Sequence, residues 1–173
     1  MSNKVDASLQ RLASKYHADV LEFRDEIIKE LCWMTNSEIA YFYATDLDEA
    51  HLTLLGYSKG VMDACAIVDP KQVYKVSETG LWGDAIRERA PIITNDYATS
   101  DRPSKRGIPD GHVPVYRHMN MPIFGGVLDD RIVAIVGVGN KPDPYTQEDV
   151  SNVSLLMHTV WNKFAKALWG FQV

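Results

Sequence analysis

The residues of this sequence that are best placed for chemistry follow a long polar segment: His112, Arg117 and His118 in the text GHVPVYRH. An imidazole can bind a metal, and a guanidinium binds carboxylates and phosphates through paired hydrogen bonds. The alternative for Arg117 is an ion pair with Asp96 or Asp110 that ties the two ends of the segment together, because long loops need internal polar contacts. The two roles do not exclude each other.

Other side chains would join these three in a pocket. Trp82 belongs to a predicted short helix, and Asn95, Asp96 and Tyr97 begin the polar segment. Arginine and asparagine at a pocket rim suit a carboxylate, phosphate or amide group, and aromatic rings give a stacking wall. The predicted ligand-binding residues are Trp82, Asn95, Asp96, Tyr97, His112, Arg117 and His118. Amino acids, organic acids and nucleotides would suit them equally.

Catalytic chemistry has little support in the sequence. Cys32 and Cys65 stand among apolar residues, where a thiol is usually a small core residue, with a redox or covalent-attachment role as the alternative. The five histidines show no metal-ligand spacing. No serine elbow, phosphate-binding glycine loop or converging carboxylate pair occurs. We therefore expect no catalytic residue, no metal and no enzyme activity.

Composition narrows the class of protein. The chain has 173 residues, is 46% hydrophobic and carries a formal charge of −5, which suits one globular domain and gives no overall electrostatic attraction to nucleic acid. The densest basic patch, Arg102, Lys105 and Arg106, is short and interrupted. No apolar run reaches the roughly 18 residues of a membrane helix, and no signal peptide precedes the first helix. We expect a cytoplasmic protein.

Two long helices are predicted at the ends of the chain. Apolar residues recur every three or four positions from Val5 to Met34, which predicts one continuous helix. Such a helix would be roughly 45 Å long. This exceeds what a domain of this size needs, so part of its apolar face is expected to meet a second copy of the chain. The alternative, which suits the second half of the helix well, is that it lies along its own sheet. The second long helix is predicted at residues 146–169.

Between these helices the sequence predicts a sheet and a long loop. Residues 39–44 and 51–57 predict a hairpin, and residues 79–89 an amphipathic helix that ends before Pro91. The strand assignments are 39–44, 51–57, 91–94, 118–124 and 131–138. Segment 58–68 suits either a short helix or a strand. Residues 95–115 hold three prolines and many polar groups, which is typical of a lid or a binding loop.

The strand at 131–138 has apolar residues on both faces, which predicts a central strand covered on both sides. Gly137 and Gly139 remove side chains from one of these faces, so another group can approach the backbone closely there.

Three segments together resemble a GAF domain, especially the copies in sensor kinases and cyclic-di-GMP synthases. They are GLWGDAIRERAPIITNDY, GHVPVYRHMNMPIF, and RIVAIVGVGNK followed by Y-x-x-x-D. The resemblance implies an α+β fold: a central antiparallel sheet of about six strands, terminal helices on one face, and a ligand pocket with the long loop on the other. It divides the chain into a dimerisation and signalling helix at 1–34 and the sensory domain at 35–173.

The stretch GNKPDPYTQEDV resembles the NKFDE signature of cyclic-nucleotide-binding GAF domains through Asn140, Lys141, Tyr145 and Asp149, with Val150 in place of the final Glu. Lys141 can reach Asp149 in the first turn of the last helix, where the dipole favours a carboxylate. Thr146 and Asp149 resemble a capping box, and Tyr145 can pack on Val150. We interpret this corner as structural and not as a nucleotide contact.

The resemblance also implies a function. A small molecule would order the loop at 95–117, and the sheet would relay this to dimeric terminal helices, with a kinase or cyclase output domain as a possible neighbour in a two-component system. One alternative is a dimerisation module without ligand. Another is an enzyme like the GAF-fold methionine sulfoxide reductase, although its loop cysteines are absent, as is a cysteine for a bilin. Since some GAF sensors bind haem through one histidine, His112 or His118 could bind it here, and the cofactor stays unknown.

Overall fold

The computed structural model describes residues 3–16, 19–62, 73–108, 111–125 and 130–169. Within them, six antiparallel strands form one sheet in the order β3-β2-β1-β6-β5-β4. The helices are α1 (Asn3–Lys15), α2 (Val20–Thr35), α3 (Lys59–Met62), α4 (Asp84–Arg87) and α5 (Gln147–Trp169). The strands are β1 (Ile39–Thr45), β2 (His51–Tyr57), β3 (Val73–Lys75), β4 (Ile92–Thr94), β5 (His118–Gly125) and β6 (Arg131–Gly139).

The predicted α+β fold is confirmed, with the helices of both termini on one face of the sheet. One large core lies on that face, where α1, α2 and α5 pack against the strands; it includes Phe23, Leu31, Phe42, Met121 and Val138, with Leu156 from α5. The predicted hairpin corresponds to β1 and β2. As predicted, β6 is central, because it pairs with β1 on one side and with β5 on the other.

The prediction of one continuous helix from Val5 to Met34 is wrong, because the chain forms two helices there. Asp19 has extended backbone angles, and its carboxylate accepts a hydrogen bond from the Leu21 amide at 2.8 Å, which caps the start of α2. The periodic apolar pattern continues across this break, so periodicity alone could not reveal it.

The first helix folds back along the second. Lys4 Nζ donates to the carbonyl of Met34, and Arg11 forms two hydrogen bonds to Glu30, at 2.5 and 2.6 Å. Val5 and Leu12 are buried in the core of the same chain. The length of the predicted helix therefore gives no argument for a second copy, because both halves of it pack within this domain.

The predicted helix at residues 79–89 is shorter than expected. A 3₁₀ turn at Leu81–Gly83 leads into α4, and Arg89 takes a positive φ of 51° that ends the element. The apolar residues Leu81, Ala85 and Ile86 are buried as predicted. The open segment 58–68 begins with α3, and Cys65 lies outside the described residues.

The corner before α5 forms the predicted ion pair and the predicted capping box. Lys141 Nζ lies 2.8 Å from both carboxylate oxygens of Asp149. The Thr146 amide donates to Asp149 at 2.8 Å and the Asp149 amide to the Thr146 hydroxyl at 3.4 Å, which is a capping box. The buried Tyr145 hydroxyl bonds to Ser37 at 2.7 Å. This carboxylate thus holds the lysine and the start of the helix together.

Asn140 connects the same corner to the end of the long loop. Its side-chain oxygen accepts from the Tyr116 amide at 2.9 Å, and its side-chain nitrogen donates to the Pro114 carbonyl at 2.8 Å. The residue has a positive φ of 58°, a conformation that asparagine tolerates better than most residues. These contacts all lie within the chain. Across the described part of the protein, no helix is both long and apolar enough to span a bilayer.

Candidate functional site

A cavity of about 470 Å³ lies on the sheet face opposite the terminal helices, under the long loop. Its size falls within the range of small-molecule sites. The walls come from β1, β2, β3, the 3₁₀ turn before α4, and the loop between β4 and β5. The lining residues are Ile39, Ala40, Tyr41, Tyr43, Leu54, Tyr57, Ser58, Tyr74, Glu78, Thr79, Gly80, Leu81, Trp82, Tyr97, Arg106, Gly107, Ile108, His112, Val113, Val115, His118 and Gly139.

Four mutually packed rings form an aromatic wall of this cavity: Tyr41, Tyr43, Tyr74 and Trp82. Tyr43 and Trp82 are stacked, with ring centroids 5.2 Å apart, and Tyr74 meets Trp82 edge-on at 5.4 Å. Tyr41 meets Tyr43 edge-on at 5.7 Å. Offset-stacked and edge-to-face pairs are the favoured aromatic geometries. Burial raises the pKa of both Tyr41 and Tyr43, so their hydroxyls stay neutral.

A buried polar chain lies next to the wall. Asn120 Nδ2 donates to the Tyr41 hydroxyl at 2.6 Å, and that hydroxyl lies 3.0 Å from His118 Nε2. The imidazole Nδ1 has no hydrogen-bond partner among the described residues. Burial lowers the pKa of His118 to about 4, although the charge of Asp84 acts in the opposite direction. At neutral pH this histidine is uncharged.

The glycines of β6 explain how these side chains fit. Tyr41, Gly137 and Asn120 occupy one row across β1, β6 and β5. A Cβ at position 137 would collide with the Tyr41 ring and lie 2.6 Å from Asn120 Nδ2. The group that approaches Gly137 is therefore the protein's own polar chain, whereas Gly139 lines the cavity itself.

Asp84 fastens the long loop to α4. Its buried carboxylate accepts from Ser104 at 2.6 Å, from Arg102 at 3.1 Å and from Arg87 at 2.6 Å. Burial by itself would raise the pKa of Asp84, but these hydrogen bonds and the arginine charges outweigh it and lower the pKa. We call Asp84, Arg102 and Ser104 the loop latch.

The other cations of the basic patch also bind the chain itself. Arg106 donates to the carbonyls of Ser77 and Glu78, at 3.3 and 3.1 Å, across the mouth of the cavity. Lys105 donates to the Ala98 carbonyl at 2.8 Å and lies over the Tyr97 ring. The patch Arg102, Lys105 and Arg106 thus holds the loop in place over the cavity.

The structure brings four of the predicted site residues to the cavity and leaves three outside it. Trp82, Tyr97, His112 and His118 line it. The Tyr97 hydroxyl donates to the Gly107 carbonyl at 3.1 Å, and His112 Nδ1 lies 2.7 Å from the Val113 carbonyl. Of the two histidines, His118 is the more buried.

Asn95, Asp96 and Arg117 are not lining residues; each binds backbone nearby. Asn95 exchanges two hydrogen bonds with the Tyr145 backbone, at 2.7 and 3.1 Å. The Asp96 carboxylate accepts from the Thr99 amide. Arg117 donates to the carbonyls of Lys141, at 2.9 Å, and Pro142.

The predicted pairing of Arg117 with Asp96 is wrong, because Asp96 caps its own turn and the guanidinium meets the carbonyls of the β6–α5 corner instead. Asp110 lies outside the described residues. The general idea of a tie holds in another form: Arg117 and Asn95 bind the two ends of the loop to that corner.

Sequence reasoning missed most of the aromatic wall and the whole loop latch. The wall had a readable signal, because Tyr41 and Tyr43 alternate with small or buried residues in the text IAYFYAT. The latch had none, because Asp84 and Arg102 lie 18 positions apart with no periodic relation.

The described residues offer no sign of thiol or metal chemistry. Cys32 lies on α2, on the helical face, and burial raises its pKa to about 11, which disfavours the reactive thiolate. Among the residues that the structure describes, no group of three or more histidine, cysteine, aspartate or glutamate side chains could hold a metal ion.

Comparisons with known proteins agree on one domain family. The family model of the GAF domain matches residues 17–164. The methyl sulfide methyltransferase-associated sensor of Methanosarcina acetivorans is 40% identical over 154 residues, which cover 89% of this chain but only 15% of that protein. The chain therefore spans a small part of this relative.

Solved structures agree at the level of the fold. The GAF domain of an Acinetobacter phosphoenolpyruvate-protein phosphotransferase superposes with a TM-score of 0.71 at 14% identity, over 100% of this chain and 99% of that one. The free methionine-R-sulfoxide reductase of Neisseria meningitidis gives a TM-score of 0.67 at 12% identity, over 96% and 89%. Likeness at such low identity concerns the fold alone.

Proposed function

The chain belongs to the GAF domain family, and from this premise we propose that it is a sensory, regulatory domain that binds a small molecule in the cavity. The observation that carries the proposal is the construction of the cavity. It is walled by aromatic rings on the sheet side and covered by a loop that is attached through specific polar contacts. The relative from Methanosarcina acetivorans, which is named as a sensor, supports the same function.

The ligand would act by shifting the loop between two states. Residues 95–108 and 111–117 are held over the cavity mainly by side chains, the loop latch and Arg106, and not by strand pairing. A molecule in contact with Tyr97, His112 and Val113 would stabilise the covered arrangement. It can do so only by its difference in affinity for the covered and uncovered states.

The sheet would carry the change to the terminal helices. His118, at the cavity, begins β5, and the next residue, Met119, points into the core shared with α5. Arg24 of α2 donates two hydrogen bonds to the Leu168 carbonyl of α5, at 2.8 and 2.6 Å, so these helices are joined near the chain end. A shift of β5 would therefore reach α2 and α5 together.

We also propose that the domain dimerises through its terminal helices and regulates a kinase or cyclase output domain in a longer protein. Exposed apolar side chains on these helices favour such contacts: Leu21 and Trp33 of α2 and Leu155 of α5 are 60%, 49% and 38% exposed. The free thiol of Cys32 is consistent with the cytoplasmic location that we propose.

Native mass spectrometry of the purified protein, followed by denaturation, tests both parts of this proposal. We expect a dimer that releases a small molecule or haem at near-stoichiometric amount. The matched control is Gly139→Leu, which fills the cavity; a Cβ there meets Ile39 at an ordinary 3.4 Å. The control should keep the dimer and lose the molecule.

Three other results would contradict the proposal in whole or in part. A dimer with no bound molecule, and no response to any added one, would favour the alternative of a ligand-free dimerisation module. Reduction of free methionine sulfoxide by the protein, abolished in Cys65→Ser and retained in Cys32→Ser, would establish the enzyme alternative. A monomer at high concentration would remove the dimeric part alone.

A further inference from the structure

We propose that the cavity selects an uncharged, planar molecule of aromatic size, and that His118 Nδ1–H donates a hydrogen bond to a carbonyl-type oxygen of that molecule. This inference rests on the proposed ligand-binding function and defines the class of ligand. Three observations carry it: the hydrogen count of the buried polar chain, the charge pattern of the lining, and the shape of the aromatic wall.

With the Asn120 amide nitrogen facing Tyr41, the hydrogen count assigns the tautomer of His118. The Tyr41 hydroxyl accepts a hydrogen from Asn120 Nδ2, at 2.6 Å, so its own hydrogen is left for His118 Nε2, at 3.0 Å. Nε2 is then an acceptor, and the proton of the neutral imidazole lies on Nδ1. The opposite tautomer would leave the buried Tyr41 hydrogen without an acceptor, which is unfavourable.

This assignment leaves an unpaired donor, itself buried, on a residue that lines the cavity. His118 is 6% exposed, and its Nδ1 has no partner among the described residues; Asn120 Oδ1 in the same polar chain is also unpaired. Buried polar groups are nearly always hydrogen-bonded, and an unpaired one costs about 1–3 kcal/mol. A ligand oxygen that accepts from Nδ1 would remove this cost, whereas a purely apolar ligand would keep it.

The charge pattern excludes strongly charged ligands from the interior. Among the described lining residues, only Glu78 and Arg106 carry a formal charge. Arg106 is already bound to two backbone carbonyls, and Glu78 is half exposed, with its carboxylate 3.6 Å from Lys75. A charged group beside Tyr41 and His118 would therefore lose its hydration without meeting an opposite charge.

The aromatic wall sets the shape of the ligand. Tyr43 and Trp82 are stacked in direct contact, with their rings inclined by 27°. The stacked pair, with Tyr41 and Tyr74 edge-on to it, leaves no open cage of ring faces for a compact cation, whereas a flat neutral ring can add a further stacked or edge-on contact. Tyr97, Ile108 and Val113 of the covering loop line the same cavity.

The test uses three probes of nearly equal shape that differ in charge: 2-naphthamide, 2-naphthoate and 2-naphthamidine. Isothermal titration calorimetry on the full chain gives their affinities. We expect the neutral amide to bind at least about tenfold more tightly than either charged probe, because the charged groups are desolvated without compensation. Equal or tighter binding of the carboxylate or the amidine would overturn the proposal.

Two substitutions separate the two nitrogens of His118. His118→Asn keeps an amide nitrogen close to the Nδ1 position, whereas His118→Gln reaches the Nε2 position and lacks a donor at Nδ1. We expect His118→Gln to lower the affinity for 2-naphthamide by about tenfold, which is the effect of losing one neutral hydrogen bond. His118→Asn should lower the affinity by less than about threefold, because it keeps the donor. Tyr116→Phe removes an exposed hydroxyl outside the lining and should leave the affinity unchanged.

The outcomes distinguish this inference from the function on which it rests. If a charged probe binds best, or if His118→Gln matches the wild type, the cavity is still a ligand site but the proposed ligand class is wrong. If none of the three probes binds and Gly139→Leu behaves as the wild type in every assay, both the ligand class and the cavity as a binding site are overturned.

Discussion

The two faces of the sheet are built from alternate residues of the same strands but serve different purposes. In β1, Phe42 and Ala44 are buried against the terminal helices, whereas Tyr41 and Tyr43 line the cavity. The helical face is filled mainly with apolar side chains. The cavity face has larger side chains with polar ends and still encloses about 470 Å³.

This difference separates a face that stabilises the fold from the face to which we assign the proposed ligand. The helical face contributes the free energy of folding through apolar burial. The cavity face contributes less to stability, because its aromatic rings border a cavity and His118 is buried with Nδ1 unpaired among the described residues. Substitutions on the two faces should therefore separate stability from ligand binding.

The largest effect is expected on the helical face. Phe42 is fully buried, so Phe42→Ala should lower the free energy of unfolding by about 3–5 kcal/mol, the usual cost of an aromatic core deletion. Trp82→Ala on the cavity face should cost less, because Trp82 already borders the cavity, but should abolish ligand binding. Urea denaturation measures the free energy of unfolding of both variants. Equal losses of stability would contradict the distinction between the faces.

The second effect concerns pH and His118. The pKa of His118 is about 4 in the folded protein and about 6.5 in a free histidine. Between pH 6.5 and pH 4 the unfolded chain therefore binds a proton at this residue, whereas the folded protein does not. The free energy of unfolding should therefore fall by roughly 3 kcal/mol as the pH falls from 6.5 to 4. His118→Gln should lack this part of the decrease. Identical pH profiles for both proteins would show that His118 is not excluded from protonation.

The third effect compares a buried carboxylate of the loop latch with a half-exposed carboxylate that pairs with the same arginine. Asp84→Asn should destabilise the protein by about 2 kcal/mol, because it weakens charge-assisted hydrogen bonds to a buried group, and should speed proteolysis within residues 96–108. Glu88→Gln is the matched control, since the half-exposed Glu88 also pairs with Arg102; it should cost less than about 0.5 kcal/mol. Thermal denaturation and limited trypsin digestion give both readouts. Similar behaviour of the two variants would contradict the loop latch.

The smallest effect is expected at the corner before α5. Asp149→Asn removes the ion pair with Lys141 and weakens the capping box, so it should cost about 1 kcal/mol. Ligand affinity should stay the same, because neither residue lines the cavity. A large loss of affinity at unchanged stability, measured by calorimetry and urea denaturation, would assign this corner to binding after all.

Local patterns in the sequence carried most of the fold. Hydrophobic periodicity in the sequence predicts the alternation in β1, the apolar stripe of α5 and the two apolar faces of β6. The break between α1 and α2 escaped, because Asp19 interrupts the backbone without interrupting the apolar stripe. A capping residue inside a periodic pattern is ambiguous until the packing of both helices is known.

The site was less predictable than the fold. Tyr97, His112 and His118 were found because they lie in the long loop or just after it, and Trp82 because it belongs to the predicted short helix before the loop. Tyr74 and the pair of Asp84 with Arg102 depend on contacts between distant parts of the chain, which no short motif records. Arg117 was placed at the right end of the loop but given the wrong partner, because backbone carbonyls leave no signal in the sequence.

Hydrogen–deuterium exchange with and without 2-naphthamide tests the central claim most directly, namely that occupancy of the cavity reaches the opposite face. At probe concentrations that saturate binding by calorimetry, we predict slower exchange in the loop at 96–108 and a change in α2 and α5. The Gly139→Leu variant should show neither. Saturated binding with unchanged exchange in the loop and both helices would contradict the account.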